Sequence, residues 1–256
     1  MSSITIDRRF CGPPNSGNGG YVSGLLARHF PEGAVVTLRA PPPLERPLGI
    51  RNSDDGAVEL HEEATLLAQA RAATLDVADV PLADFAEAED AMTRTPLNEC
   101  NHSLPNCFVC GPKRAPGDGL RIQPGPLAAR EGRRAGTFAA AWVPYDNLAG
   151  DDGRVASEFV WAALDCPTAY AGLAARHLGV TGAETILLGR MSARIDARPH
   201  PGERCVIVAW PTGRDGRKLF ADSALLSAGG DVLAVARATW LSVDRAVQLG
   251  ETRGGS

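Results

Sequence analysis

The segment QARAATLDV, residues 69–77, returns in altered form as VARATWLSV, residues 235–243. Two shorter matches precede this pair in the same order along the chain: Asp55-Gly56 with Asp215-Gly216, and RAPPP (39–43) with DARPHP (196–201). Because three matches in one order rarely arise by chance, the sequence predicts an internal duplication.

Each copy is predicted to begin with an apolar helix, at residues 19–30 and 157–176. Four strand-like runs bounded by turn residues follow each helix: 34–40, 46–51, 57–67 and 68–77 in the first copy, and 184–196, 203–211, 217–227 and 231–243 in the second. Short connections favour antiparallel pairing, and the missing β-α-β alternation argues against a parallel doubly wound sheet. Residues 82–94 are predicted to form an acidic helix that links the copies.

Composition and charge exclude several classes of protein. The 256 residues are 44% hydrophobic and 22% charged, which is typical of a globular chain. A formal net charge of −4, with arginines scattered along the chain, argues against a nucleic-acid partner. No apolar run approaches the roughly 18 residues of a membrane span, and residues 1–9 lack the apolar core of a signal peptide. We therefore expect a cytoplasmic protein with no membrane partner.

Three cysteines lie close together in the sequence. Cys100, Cys107 and Cys110, with His102, form the pattern C-x-H-x4-C-x2-C, which supplies a potential set of zinc ligands. The alternative is a tight turn in which small, readily buried cysteines lie close together without a metal.

Residues 107–112, CFVCGP, followed by residues 119–122, GLRI, resemble the opening of hotdog thioesterases in the phenylacetyl-CoA-thioesterase-like group. The resemblance implies an α+β double hotdog, with two long antiparallel sheets each wrapped around a central helix. Residues 1–98 would form the N-terminal hotdog repeat with its acidic linker helix, and residues 99–256 the C-terminal repeat. The resemblance explains Cys107 and Cys110 without a metal, so we expect less than stoichiometric zinc and no cofactor.

In that family the central helix begins with His-Gly-Gly and carries an acidic residue seven positions after the second Gly. The two copies divide this motif between them. The first has NGG at residues 18–20, but Ala27 stands in place of the acid. The second has ASE at residues 156–158 and keeps the acid, Asp165. The resemblance thus implies one composite active site between the repeats and one decayed counterpart.

Roles for the composite site follow from the chemistry of helix ends. The stretch Gly17-Asn18-Gly19-Gly20 begins a helix with unpaired backbone N–H groups, and the amides of Gly19 to Tyr21 are expected to bind a thioester carbonyl and stabilise its oxyanion. The alternative is a tight helix-entry loop that requires glycine. Asp165 follows an apolar run, where a carboxylate is costly to bury unless it is paired or catalytic. It is expected to activate water or to attack the carbonyl directly. The alternative is that this carboxylate satisfies the helical turn disrupted by Pro167.

Further residues are candidates for contacts with the substrate. Thr168 and Tyr170 fall within one turn of Asp165 and are expected to hydrogen-bond the acid or the attacking water. An apolar or aromatic pocket is indicated by Tyr21, Phe159, Trp161 and Tyr170, and packing in the core is the alternative explanation. Cys166 is expected to be a core thiol, because it projects about 100° around the helix from Asp165.

The function expected from the resemblance is hydrolysis of an acyl thioester of coenzyme A or of an acyl-carrier protein. Two alternatives stay open. One is an enoyl- or hydroxyacyl-thioester hydratase or dehydratase, although such enzymes carry a His beside the acid and none adjoins Asp165 in sequence. The other is a non-catalytic acyl-thioester-binding protein, which the replacement of His by Asn18 favours. Fused pairs can also assemble further into a homo-oligomer.

Overall fold

The structure is a computed structural model that describes residues 2–131, 133–176 and 184–249. The strands in these ranges are β1 (Ser2–Thr5), β2 (Ala34–Leu38), β3 (Pro47–Asn52), β4 (Val58–Glu62), β5 (Thr65–Ala72), β6 (Gly125–Pro126), β7 (Phe138–Trp142), β8 (Glu184–Ile195), β9 (Cys205–Asp215), β10 (Lys218–Ser227) and β11 (Val232–Asp244). The α-helices are α1 (Gly19–Ala27), α2 (Phe85–Met92), α3 (Ser157–Arg176) and α4 (Arg245–Leu249). None of the described helices is long and apolar enough to cross a membrane.

All these strands belong to one sheet, in the order β1-β3-β4-β5-β2-β8-β11-β10-β9-β7-β6. Each hydrogen-bonded pair of strands is antiparallel. β2 and β8 pair at the seam between the halves, where Val35 lies opposite Ser192. Outward from this seam, the orders β2-β5-β4-β3-β1 and β8-β11-β10-β9-β7 have the same connectivity, with α1 and α3 at corresponding positions.

The continuous sheet corrects the expectation of two separate sheets. An unpaired edge strand leaves a row of backbone N–H and C=O groups without partners. β2 of the first half and β8 of the second satisfy each other's groups over residues 34–37 and 190–193, so the two halves share one hydrogen-bonded ladder.

Helices α1 and α3 pack closely because glycines line the contact. A Cβ atom at Gly20 would lie 2.4 Å from Asp165 Cβ, and a Cβ atom at Gly24 would lie 2.4 Å from Glu158 Cα. The later residue of α1 meets the earlier residue of α3, so the two helices run antiparallel. Glycine allows this approach because it has no side chain. The contact places the first turn of α1 beside the middle of α3.

The acidic helix expected over residues 82–94 forms as α2, and it covers the face of the sheet opposite to α1 and α3. Successive residues of a strand point to opposite faces. In β9, Ile207 packs in the core that contains α1 and α3, whereas Val208 and Trp210 pack with Ala88 of α2. A capping box at Asp84, whose side chain accepts from the Glu87 backbone N–H at 2.8 Å, begins this helix.

Several strand boundaries differ from the prediction. The break expected between residues 67 and 68 lies at Glu63-Ala64 instead, where Glu63 has a φ of 53° without Gly or Asn to indicate a turn. Strands β1, β6 and β7 were not predicted. In β7 the sequence FAAAW is rich in alanine, which strands generally disfavour, and pairing with β9 forms the strand nonetheless.

Candidate functional site

Asp165 lies in the middle of α3 and is 1% exposed. Its Oδ2 atom accepts two hydrogen bonds, each of 3.0 Å, from the backbone N–H of Gly20 and the side-chain amide of Asn18. The carboxylate comes from the second half of the chain and both donors come from the first. The structure therefore brings together the residues that the divided motif assigned to one composite site.

Asn18 uses both ends of its side-chain amide. Its Oδ1 atom accepts from the backbone N–H of Tyr21 at 2.9 Å, which makes Asn18 the N-cap of α1. Its Nδ2 atom donates to Asp165. A side chain with both an acceptor and a donor is needed to start the helix and bind the carboxylate at once.

Contacts with the sheet hold the backbone of α3 around Asp165, next to Pro167. The Thr168 hydroxyl donates to the Asp165 carbonyl oxygen at 2.6 Å, and it accepts from Trp240 Nε1 at 2.8 Å. The Ser223 hydroxyl donates to the Leu164 carbonyl oxygen at 2.8 Å. These bonds attach α3 to β10 and β11. The sheet therefore positions Asp165 together with α1.

A pocket of about 300 Å³ opens beside this carboxylate. Asn18, Gly19 and Asp165 form part of its wall together with Tyr170. Most of the remaining wall is apolar and includes Leu38, Leu97, Leu104, Leu173, Leu188 and Trp240. Polar groups near one buried acid, with an apolar majority around them, are typical of a site for a small organic ligand.

Two polar groups of residues in this wall lack a hydrogen-bond partner in the part of the chain that the structure describes. Asp165 Oδ1 has no hydrogen-bond partner among the described residues. The Gly19 N–H likewise donates to none of them. Burial raises the pKa of Asp165 to about 7, against the opposing effect of its hydrogen bonds from Gly20 and Asn18.

The structure corrects part of the expected substrate contacts. Tyr21 lies away from the pocket and stacks on Phe10, with ring centroids 4.2 Å apart. Phe159 is outside the pocket wall as well and stacks on Tyr21. Trp161 is also outside the pocket wall, buried next to Gly24 of α1. Thr168 bonds the backbone of Asp165 rather than its carboxylate. Of the three amides expected to bind a carbonyl, those of Gly20 and Tyr21 already have acceptors in Asp165 and Asn18.

The cysteines that cluster in the structure are not the same set that lies close together in the sequence. Cys100 is exposed, while Cys107 and Cys110 are buried and join Cys166 of α3 at the pocket wall. Thiol hydrogen bonds from Cys110 and Cys166 lower the pKa of Cys107. The sequence predicts Cys166 only as a core thiol, because Cys107 and Cys110 lie in a distant segment and no local signal indicates that the three meet.

His102 also lines the pocket, a position that its neighbours in sequence do not indicate. Its Nδ1 atom accepts from the Leu104 backbone N–H at 3.0 Å, so the ring proton lies on Nε2. Burial lowers the pKa of His102, which keeps the ring neutral. No described hydrogen bond joins this imidazole to Asp165.

The corresponding place in the other half holds an ion pair. Glu158, at the start of α3, is buried and binds the guanidinium of Arg28, next to Ala27. A separate cleft of about 300 Å³ is lined here by Ala27, Arg28, Ser157 and Arg198, and none of the described residues in its wall carries a carboxylate. The two ends of the helix pair therefore differ in chemistry.

No protein-family model matches the chain, and no curated protein matches it in sequence. Solved structures match nearly its whole length. The tesB protein of Mycobacterium avium subspecies paratuberculosis has a TM-score of 0.62 at 12% identity, covering 94% of this chain and 92% of that one. Acyl-CoA thioesterase II TesB2 of Mycobacterium marinum has a TM-score of 0.58 at 12% identity and the same coverage, 94% and 92%.

A third structure carries the name of the fold itself. A conserved protein of unknown function with a hot dog fold, from Alicyclobacillus acidocaldarius, has a TM-score of 0.51 at 10% identity, covering 94% of this chain and 92% of that one. Identities this low establish architecture and leave function open. Together with the matching strand order of its two halves, these similarities show that the chain has a double hotdog fold.

Proposed function

We propose that the chain hydrolyses acyl thioesters, with coenzyme A thioesters as the first class to test, at one composite site between two hotdog repeats. The observation that carries the proposal is the buried Asp165 carboxylate, held by Gly20 and Asn18 at the wall of an apolar pocket. The names of the tesB protein and of the acyl-CoA thioesterase II with the same fold support this choice of reaction.

In the proposed reaction, water is the nucleophile and Asp165 is the general base. The two donors on Oδ2 fix the carboxylate and leave the buried Oδ1 without a partner among the described residues. A water admitted with the substrate would give its proton to Oδ1. The Gly19 N–H, at the positive end of the α1 dipole, binds the thioester carbonyl oxygen and stabilises the negative charge that develops there. Collapse of the tetrahedral intermediate breaks the C–S bond, and Asp165 returns the proton to the departing thiolate. The products are a carboxylic acid and a free thiol.

We infer that the repeats comprise residues 1–98 and 99–256, each with one central helix. The apolar side of the pocket accommodates the acyl chain, since leucines and Trp240 make up much of its wall. The Arg28–Glu158 ion pair occupies the other end of the helix pair, so we assign one active site to each chain.

The test is a panel of acyl-CoA substrates with detection of the released thiol, run on the wild type and on Asp165→Asn. A substrate-free control subtracts the reaction of the protein's own exposed thiol, Cys100. We expect turnover by the wild type and its near-complete loss in Asp165→Asn, because an amide is close in shape to a carboxyl but cannot accept the proton. Thioester binding without turnover by the wild type would favour the non-catalytic alternative.

One structural observation favours the hydratase alternative. His102 lies at the pocket wall with an Nε2 atom that has no partner among the described residues. Enoyl-CoA added to the same assay separates the two reactions, since hydration consumes the double bond and releases no thiol. Loss of the enoyl absorbance without thiol release would replace hydrolysis by hydration as the reaction of this site.

A further inference from the structure

A cluster of three thiols lies at the pocket wall, formed by Cys107, Cys110 and Cys166. The three sulfur atoms lie within 4.8 Å of one another, and all three side chains are buried. The Cys107 and Cys166 sulfurs are 3.8 Å apart, although the two residues are 59 positions apart in sequence. The fold therefore brings the loop that carries Cys107 and Cys110 against Cys166 of α3.

The spacing of the sulfurs fits a tetrahedral metal ion. Zinc–thiolate bonds are about 2.3 Å long, so two thiolates of a tetrahedral site lie about 3.8 Å apart. The distance between Cys107 Sγ and Cys166 Sγ equals such an edge. Three sulfur ligands on a protein select soft or borderline ions, among which zinc prefers tetrahedral geometry.

The loop that carries two of the sulfurs is a tight turn. The Gly111 N–H donates to the Cys107 carbonyl oxygen at 2.9 Å. A Cβ atom at Gly111 would lie 2.5 Å from that same oxygen, so this turn requires glycine. The turn brings residues 107 and 110 of the C-x2-C pair to one side, where α3 supplies Cys166.

We propose that Cys107, Cys110 and Cys166 bind one Zn²⁺, with the fourth coordination position open to the pocket. Among the described residues, no fourth His, Cys, Asp or Glu belongs to the cluster. His102 is unsuited because its Nδ1 atom accepts a backbone hydrogen bond and its Nε2 atom carries the proton. Three protein ligands and one exchangeable water are the usual set of a zinc site that meets a substrate.

Asn18 supplies a polar contact to the sulfurs of the cluster. Asn18 Nδ2 lies 3.9 Å from both Cys107 Sγ and Cys166 Sγ, so its amide protons face the sulfurs as well as Asp165. Polar contacts of this kind around the ligands orient them and stabilise their charge. Asp165 lines the same pocket, and its Oδ1 atom is buried without a partner among the described residues. A metal-bound water admitted beside it would donate a hydrogen bond to this oxygen.

This proposal replaces the expectation of a metal-free cysteine turn, because the third ligand comes from a helix that the sequence pattern did not include. It differs from the C-x-H-x4-C-x2-C hypothesis in its ligands as well. Cys166 takes part, whereas the exposed Cys100 does not.

The test measures metal binding by the full chain, reduced and then exposed to Zn²⁺ or Co²⁺. Elemental analysis after gel filtration should give one ion per chain, and Co²⁺ should give the absorption band of thiolate-to-metal charge transfer. Cys107→Ser and Cys166→Ser should each lower bound zinc at least fivefold. Cys205→Ser, at a buried thiol of β9 outside the cluster, and Cys100→Ser should both keep the full content.

Wild-type protein provides a second readout should a variant fail to fold. Because the three thiols are buried, alkylation is run at one mildly denaturing urea concentration, with and without Zn²⁺, and followed by mass spectrometry. Added Zn²⁺ should slow the alkylation of Cys107, Cys110 and Cys166 together and leave Cys100 reactive. Absence of zinc after reconstitution of reduced protein, or protection of Cys100 in place of Cys166, would overturn the proposal. Neither readout depends on turnover, so a failure here leaves the hydrolase proposal unaffected.

Discussion

Asp165 Oδ2 accepts a hydrogen bond of 3.0 Å from the backbone nitrogen of Gly20, across 145 positions of the sequence. Neither half carries both parts of the motif. In the first half Ala27 stands in place of the acid, and in the second half Ala156-Ser157-Glu158 stands in place of His-Gly-Gly. A fused pair of repeats can keep one site while the other changes, because both partners of the retained site remain in one chain. The contact therefore joins the two halves of the chain at the buried carboxylate.

Gly20→Ala is expected to weaken the contact between α1 and α3. The added Cβ would lie 2.4 Å from Asp165 Cβ and 2.9 Å from the Trp161 carbonyl oxygen, and neither can move without shifting α3. Overpacking of this kind costs roughly 1–3 kcal/mol of the free energy of unfolding. Thermal unfolding should show a lower Tm, accompanied by reduced turnover.

Gly49→Ala is the matched control for that substitution. In the part of the chain that the structure describes, no atom outside the neighbouring residues lies within 4 Å of a Cβ built at Gly49, in β3. Its Tm and turnover should stay near those of the wild type. Equal effects of the two substitutions would mean that Gly20 is not a point of close helix contact.

Asn18→Asp is expected to keep the helix cap and damage the site. An aspartate accepts from the Tyr21 N–H as well as asparagine does. It removes the donor to Asp165 Oδ2 and places a second carboxylate against the first. Loss of a hydrogen bond to a charged group costs about 1.5–3 kcal/mol, which corresponds to roughly a 10- to 100-fold loss of turnover.

Circular dichroism and thioester turnover check this prediction together. Asn18→Ser is the companion variant, because serine also caps a helix but adds no charge. It should lose less turnover than Asn18→Asp. The reverse order would argue that the amide of Asn18 does not serve the carboxylate.

Residues 1–98 alone are expected not to form a folded monomer. Without the second half, β2 loses its pairing with β8, and α1 loses the face of α3 on which Gly20 and Gly24 pack. An exposed central strand and an apolar helix face favour aggregation. Size-exclusion chromatography with circular dichroism tests this, and a cooperatively folding monomer would contradict the fused-pair arrangement.

The extent to which sequence predicts this fold depends on which contacts are local. The helix of residues 157–176 and the strands of the second copy follow from hydropathy and turn residues, and α3, β8 and β10 form close to those bounds. The seam between β2 and β8 joins two edges that are distant in sequence. A repeat pattern shows that two copies exist, but it does not show whether their edges pair.

In the candidate site, too, some positions follow from the sequence and others depend on tertiary contacts. Asn18, Gly20 and Asp165 could be predicted because a motif split between two copies implies that its parts meet. The places of Tyr21 and Trp161 could not, since an aromatic residue on a helix packs in a core or lines a pocket according to its tertiary neighbours. In this chain the ring of Tyr21 stacks on the ring of Phe10.

The last prediction concerns the asymmetry between the two ends of the helix pair. Glu158→Gln removes the charge that binds Arg28 but leaves the pocket beside Asp165 intact. Because Arg28 is half-exposed, water can solvate the unpaired guanidinium, and the loss of stability should be small. Turnover should stay within a few-fold of the wild type, whereas Asp165→Asn should abolish it.

Both substitutions exchange a buried carboxylate for an amide of similar shape, so any difference between them reports on chemistry rather than on packing. Combining Asp165→Asn with Asn18→Ser should add little further loss, because residues that serve one transition state fail together. Equal damage from Glu158→Gln and Asp165→Asn would show that the start of α3 takes part in the reaction, and the assignment of one site per chain would then be wrong.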